Sequence, residues 1–140
     1  MNNQQQIHRQ DDWYAFYEGK TYLRRNSFEY LWSYLFRLCM QPEAAEIITF
    51  IGDGLKFRIV DFQTLSLLYY YPNDRFALTN QQIKNLFKNA ICKNQAIMNC
   101  WADNNDIYDF APLREEQLCS MAGMSMADLL NYAYCVRPLD

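Results

Sequence analysis

The sequence lacks the residues on which most acid–base and nucleophilic catalysis depends. Its 140 residues include one histidine, His8, which lies in a polar, glutamine-rich segment at the amino terminus. A histidine in a disordered segment has nothing to orient it as a general base or to let it activate a nucleophile. We therefore expect neither a Ser–His nor a Cys–His pair, and we predict that the protein is not an enzyme.

Closely spaced cysteines are missing as well. No two of the five form a C-x-x-C motif, and each lies among apolar neighbours: Cys39, Cys92, Cys100, Cys119 and Cys135. Tetrahedral metal sites take their ligands in such close pairs, so we expect no metal and no cofactor. Isolated cysteines in apolar surroundings are typical of reduced core thiols, which predicts a cytoplasmic protein.

Long apolar runs are also absent. No stretch of the sequence approaches the ~20 apolar residues that a membrane span needs, and residues 1–10 have no apolar segment of the kind found in a secretory signal. We expect no membrane association. The polar composition of residues 1–10 predicts a disordered tail, and residues 11–140 are predicted to form a single globular domain, because they are too few for two ordinary ones.

Aromatic side chains, by contrast, are abundant. They make up 16% of the chain, within a hydrophobic fraction of 51%, which suits a domain with a substantial core. We assign one group to predicted core faces: Phe28, Trp32, Phe36, Phe57, Phe87 and Trp101. A second group is predicted to be exposed as anchors for a partner: Tyr14, Tyr17, Tyr108 and Tyr132. Aromatic and basic residues interleave over residues 13–25, which suits a protein interface or a nucleic-acid platform, and we favour the protein interface.

The hydropathy pattern predicts an α+β fold, a mainly helical single domain with a small antiparallel sheet. Residues 13–17 and 20–24 are predicted as two strands of a hairpin around Glu18-Gly19. Apolar and basic residues alternate over residues 55–60. This alternation predicts a third strand, which we expect to join the hairpin in one sheet.

Helical periodicity covers most of the remaining chain. A helix is predicted from its cap at Ser27 to Met40, and it is apolar except for one narrow stripe, which indicates a central position in the fold. The stripe consists of Glu29, Ser33 and Arg37, spaced four apart. Further helices are predicted over residues 42–51, 61–71, 79–101, 113–121 and 125–134.

Negative charge is concentrated towards the carboxyl terminus. Residues 101–140 carry seven acidic and two basic residues, a net charge of −5, whereas residues 1–100 carry nine acidic and eleven basic residues, a net charge of +2. Residues 103–112 are predicted as an acidic loop. A calcium site is not expected there, because Tyr108 and Arg114 stand where the glycine and the bidentate glutamate of such a loop belong. The predicted partner-binding residues are Asp103, Asp106, Asp109, Glu115, Glu116, Tyr108, Tyr14 and Tyr17.

Residues 117–134 combine an apolar and a small position, a turn containing glycine, and a second segment with a serine cap. These positions are Leu118, Cys119, Ala122-Gly123-Met124-Ser125, Leu129 and Tyr132. The pattern resembles the helix-turn-helix of AraC-type regulators, which implies two helices joined by a tight turn and, as an alternative function, DNA binding. The second helix contains Asp128 and no lysine or arginine to neutralise phosphate, so we rank DNA binding second.

These features together favour a small non-enzymatic protein that binds another protein. Its acidic surface is expected to attract a basic partner, such as the nucleic-acid-binding surface of a protein, and its exposed aromatic side chains are expected to anchor that partner. Small acidic inhibitors, including toxin-immunity proteins and anti-CRISPR proteins of phages and mobile elements, have this general profile. The alternatives are a DNA-binding regulator and, third, a carboxylate- or metal-dependent enzyme.

Overall fold

The structure is a computed structural model. It describes residues 8–9, 14–17, 19–70, 78–100, 106–110 and 112–137, with side chains described from residue 19 onward. In this part of the chain, five α-helices accompany short strands arranged in two antiparallel sheets. The predicted α+β class, with helices dominating, is confirmed.

The first sheet is a three-stranded meander at the start of the chain. Strands β1 (His8–Arg9), β2 (Tyr14–Tyr17) and β3 (Lys20–Leu23) pair in that order, all antiparallel. Tyr17 pairs with Lys20, and Gly19 has a φ of 79°, so the predicted two-residue turn is confirmed. Strand β1 lies within residues 1–10 and pairs with β2 through main-chain groups, which needs no apolar side chain.

Helix α1 (Leu31–Cys39) lies at the centre of the fold, as predicted. Six of its nine residues are buried: Leu31, Tyr34, Leu35, Phe36, Leu38 and Cys39. The predicted cap at Ser27 is wrong, because the helix begins at Leu31 with Tyr30 as its first flanking residue. Burial raises the pKa of the Cys39 thiol well above its ordinary value, which fits the predicted core thiol. The same prediction is wrong for Cys92 and Cys135, which are exposed because they lie on the outer sides of their helices.

A second, four-stranded sheet packs against α1. Its strands are β4 (Ile48–Phe50), β5 (Lys56–Ile59), β6 (Met98–Asn99) and β7 (Ile107–Asp109), in the order β4-β5-β7-β6 and all antiparallel. The strand predicted over residues 55–60 is therefore confirmed, but its expected pairing with the first hairpin is wrong. It pairs with β4 and β7 instead.

Three elements of this sheet were predicted as helix or loop. The helix predicted over residues 42–51 is a 3₁₀ turn (Pro42–Ala44) followed by β4, a segment rich in β-branched residues that favour strands. The helix predicted over 79–101 ends at Lys93. There the Asn94 side chain accepts a hydrogen bond from the Ala96 N–H, which makes a turn ahead of β6. The loop predicted over 103–112 contains β7, an inner strand of the sheet.

The remaining helices are α2 (Phe62–Tyr70), α3 (Asn80–Lys93), α4 (Glu115–Ala122) and α5 (Met126–Cys135). Three of the four begin where their caps predict, and α4, for which no cap was predicted, begins two residues after its predicted start at residue 113. Side chains of Asp61, Thr79 and Ser125 accept backbone N–H groups in the first turns of α2, α3 and α5. Among the helices in the described segments, none has the length and apolar character needed to cross a membrane.

Aromatic rings form the contact between α1 and the second sheet. The Phe110 ring stacks on Phe57 at 4.4 Å between centroids and meets Phe36 edge-on at 5.4 Å. Phe36, Phe57 and Phe87 are buried as predicted. Trp32 is half-buried, and Trp101 lies outside the described residues.

The turn between β4 and β5 contacts Arg137, which lies two residues beyond the end of α5. Gly52 has a φ of 88°, and a Cβ atom there would collide with the side-chain stem of Arg137. Gly54, in the same turn, has a φ of 57° and open space around it.

We expect Gly54→Ala to cost only the left-handed backbone penalty of about 1–2 kcal/mol, and Gly52→Ala to cost more. Chemical denaturation measures both losses. Adding Arg137→Ala should remove the excess at Gly52, whereas equal losses at the two glycines would contradict this contact.

Candidate functional site

The predicted acidic residues occupy two different elements. Asp106 is exposed at the start of β7, with a φ of 61°, and Asp109 is half-buried at the end of the same strand. Asp109 lies opposite Lys56, whose pKa is raised by its hydrogen bond with Asp53 and further by the charge of Asp109. Asp103 lies outside the described residues.

Glu115 and Glu116 form the first turn of α4 and are both exposed. Carboxylates in this position stabilise the positive end of the helix dipole, which accounts for them structurally. Glu116 also lies 3.7 Å from the guanidinium of Arg114, in a solvent-exposed ion pair that contributes little to stability. In the described residues, no three acidic, cysteine or histidine side chains come together as a potential metal site.

Of the four tyrosines predicted as exposed anchors, Tyr108 is buried. It is 6% exposed, and its ring stacks on Phe57 at 5.8 Å, because β7 is an inner strand of the second sheet. Burial, with a further contribution from the charge of Asp106, raises the pKa of Tyr108 to about 12. Tyr132 is half-buried and donates a hydrogen bond to the carbonyl of Met40. Tyr14 and Tyr17 belong to β2, but their side chains lie outside the described residues.

Two aromatic side chains that the sequence did not single out as anchors are the most exposed ones described. Phe28, predicted for the core, is 97% exposed, and Tyr30 is 72% exposed. Phe28 also has a φ of 62°, a conformation that is strained for a bulky L-residue. Both belong to the turn that precedes α1, which we call the aromatic turn and define as residues 26–30.

The aromatic turn is built around the carboxylate of Glu29, whose side chain is only 6% exposed. Arg37 donates two hydrogen bonds to it, at 2.8 and 2.9 Å, from Nε and Nη2. The Asn26 N–H and the Ser33 hydroxyl donate two more, at 2.9 and 2.8 Å. The contact of Glu29 with Ser33 agrees with their four-residue spacing in the sequence, whereas Arg37 reaches the same carboxylate from eight residues away.

These hydrogen bonds outweigh burial in setting the ionisation of Glu29. Burial raises the pKa of Glu29. The hydrogen bonds from Arg37, Asn26 and Ser33 and the charge of Arg37 lower it by more than burial raises it, so the pKa lies below its ordinary value of 4.5. Glu29 is therefore ionised at neutral pH and paired with Arg37.

Arginines fix the main chain on both sides of the exposed ring. The Arg25 guanidinium donates to the Glu29 carbonyl at 3.1 and 2.9 Å and lies 4.1 Å from the centre of the Tyr69 ring on α2. Arg37 also donates to the Arg24 carbonyl at 2.6 Å. The turn that carries Phe28 is thus attached both to α1 and to α2.

Helix α4 lies beside the aromatic turn. The Ser33 hydroxyl is 3.9 Å from the sulfur of Met121, which is itself part-exposed. Helical spacing puts Gln117, rather than Glu115 or Glu116, on the side of α4 that carries Met121. The aromatic turn and the acidic start of α4 are therefore separate features of the surface.

Helices α4 and α5 form the corner predicted near the carboxyl terminus. Gly123, with a φ of 72°, ends α4 and donates its N–H to the Cys119 carbonyl, and Ser125 caps α5. Leu118 and Leu129 are buried in this corner. Comparisons of the chain with protein-family models, curated proteins and solved structures find no match.

Proposed function

We propose that this protein works by binding another protein rather than by catalysis, with the aromatic turn as the anchor. The observation that carries the proposal is Phe28, a 97% exposed ring held at a φ of 62°. Backbone strain of this kind costs on the order of 1–3 kcal/mol and clusters where it serves function. A partner that covers an exposed aromatic ring removes its apolar surface from water, which supplies binding free energy.

The rigidity of the turn supports the same proposal. Glu29 accepts four hydrogen bonds, and Arg25 and Arg37 hold the main chain on either side of Phe28. Binding then orders few groups, so more of the contact energy is available as affinity. Aromatic residues are also among the residue types that dominate binding energy at protein interfaces.

The partner we propose is a protein with a basic, nucleic-acid-binding surface. The net charge of −3 and the exposed Asp106, Glu115 and Glu116 support it, because such charges speed association with a cationic surface even outside the contact. By binding that basic surface, this protein would compete with nucleic acid for it. Its proposed role is therefore that of an inhibitor of the anti-CRISPR or toxin-immunity kind. Five free cysteines support a cytoplasmic setting for this role.

Affinity capture with matched variants tests the anchor. The wild-type protein and Phe28→Ala are immobilised, and proteins from the native host that bind only the wild type are identified by mass spectrometry. With the purified partner, Phe28→Ala is expected to weaken binding about 30-fold, mainly through faster dissociation. Glu115→Gln with Glu116→Gln should instead slow association at low salt. Equal capture by wild type and Phe28→Ala would contradict the anchor.

Phe28→Gly separates binding from folding. Glycine adopts a positive φ without the Cβ clash, so this variant is expected to be about 1 kcal/mol more stable than the wild type. It should nevertheless lose the partner as fully as Phe28→Ala does. Thermal unfolding and the capture experiment measure the two effects, and a Phe28→Gly variant that still binds would exclude the ring as anchor.

A DNA-binding regulator is the second candidate, and the helix corner at Gly123 is the observation that favours it. The exposed side chains of α5 include Asp128, Asn131 and Tyr134, with no basic residue on the helix. Arg137, which follows α5, stacks on Tyr134 at 3.6 Å. Duplex DNA binding that Arg114→Gln abolishes would favour this candidate over the protein binder.

A further inference from the structure

A different surface, on α3, carries three positive charges. Helix α3 has three lysines and no acidic residue: Lys84, Lys88 and Lys93. Within the described residues, none of the three makes an ion pair. Lys88 and Lys93 are exposed, and Lys84 is half-buried.

The helix is peripheral, and its outer side is rich in amides. Only Ile83, Phe87 and Ile91 of its 14 residues are buried. Opposite them lie Gln82, Asn85 and Asn89, spaced three and four apart and all exposed. We call this stripe, together with the three lysines, the amide–lysine face.

The lysines flank the amide stripe on both sides. At 100° per residue, Lys88 projects along one edge of the stripe and Lys93 along the other, while the half-buried Lys84 lies beyond Lys88, next to the buried side of the helix. The Lys88 ammonium lies 4.7 Å from the centre of the Phe62 ring, which fixes its position without neutralising its charge. A helix with amides at its centre and cations on both edges matches a groove with phosphates on both walls.

We propose that the amide–lysine face of α3 binds duplex DNA, with the helix lying in the major groove. Asparagine and glutamine amides pair with adenine edges there, and lysines neutralise phosphates. The major groove of duplex RNA is too narrow to admit a helix. Single strands are held by exposed aromatic rings, and the described side chains of α3 include no such ring on the outer side.

Fluorescence anisotropy with a labelled 20-base-pair duplex, from 50 to 200 mM NaCl, tests the proposal. Three phosphate contacts predict a slope of about −2.7 in a plot of log affinity against log salt. The variant K84Q/K88Q/K93Q should lose binding at 50 mM salt. The matched control K20Q/K56Q removes two lysines that are paired with Glu46 and Asp53, and it should bind as the wild type does.

Each competing occupant gives a distinct result. Tighter binding to a single strand of the same length, or equal competition by poly-glutamate, would overturn the proposal in favour of a flexible polyanion or an acidic protein. Loss of binding in an Arg114→Gln variant, with K84Q/K88Q/K93Q unchanged, would assign DNA to the helix corner instead.

Asn85→Ala with Asn89→Ala should weaken binding to an adenine-rich duplex several-fold without changing the salt slope. An unchanged affinity would overturn major-groove contact.

Because Phe28 and α3 belong to different surfaces, the two proposals fail separately. DNA binding by the Phe28→Ala variant should equal that of the wild type. Capture of the protein partner should survive K84Q/K88Q/K93Q, apart from any bridging by DNA, which nuclease treatment removes.

Discussion

Replacing Phe110 by alanine is expected to destabilise the protein by about 3–5 kcal/mol, the range for large aromatic side chains removed from a core. Phe110 is fully buried between Phe57 of the second sheet and Phe36 of α1. Its ring therefore joins the two layers, and neither layer can close the cavity without moving the other.

Thermal unfolding measures this loss. For a domain of this length it corresponds to a fall in Tm on the order of 10–20 °C. Phe28→Ala is the matched control, since it is the same substitution at a 97% exposed ring and should leave Tm nearly unchanged. Similar shifts in the two variants would mean that Phe110 does not join the layers.

Glu29→Gln is expected to cost about 2–4 kcal/mol at neutral pH, because it leaves the Arg37 guanidinium part-buried beside a neutral amide. The Arg37 side chain is 25% exposed and that of Glu29 6%, so solvent screens this pair only partly. The substitution also removes the charge that orders the aromatic turn. We therefore expect Phe28 to become mobile and the partner to be lost together with stability.

The same variant has a defined pH dependence. The pKa of Glu29 is lower in the folded state than its ordinary value of 4.5. Its contribution is thus complete at pH values above 4.5 and is lost as the pH falls through the folded pKa. The stability difference between wild type and Glu29→Gln should accordingly shrink towards pH 3.

Denaturation of both proteins at several pH values measures that convergence. The control is Glu46→Gln, which breaks the exposed ion pair with Lys20 and should cost less than about 1 kcal/mol at any pH. A difference for Glu29→Gln that stays constant down to pH 3 would show that its charge does not support the turn.

Features with a local cause were predictable. The hairpin at Gly19 follows from a two-residue turn between alternating segments, and the helix starts after Asp61, Thr79 and Ser125 follow from side chains that cap their own backbone. The polar stripe of Glu29, Ser33 and Arg37 was visible in the sequence spacing, but the start of α1 and the direct contact of Glu29 with Arg37, eight residues away, were not.

The strand pairing in the second sheet could not be predicted from local sequence features. Strands β4, β6 and β7 have two or three residues each, too few for a period of two to be distinguished from helical or irregular chain. Strands β4 and β6 pair with strands nearby in the sequence, β5 and β7, whereas the pairing of β5 with β7 joins segments about fifty residues apart. The placement of β5 between β4 and β7, rather than beside the first hairpin, was decided by that long-range pairing.

In the candidate site, too, some features follow from the local sequence and others from the tertiary structure. By itself, the sequence determined the α+β class, the helix caps, the uneven charge and the lack of paired cysteines, because each depends on composition or on neighbours within a few residues. Only the tertiary structure decided which aromatic rings meet solvent. Tyr108 is covered because β7 is an inner strand, and Phe28 is uncovered because Glu29 binds Arg37 and fixes the turn ahead of α1. Exposure depends on what packs against a side chain, and residues distant in the sequence supply that packing.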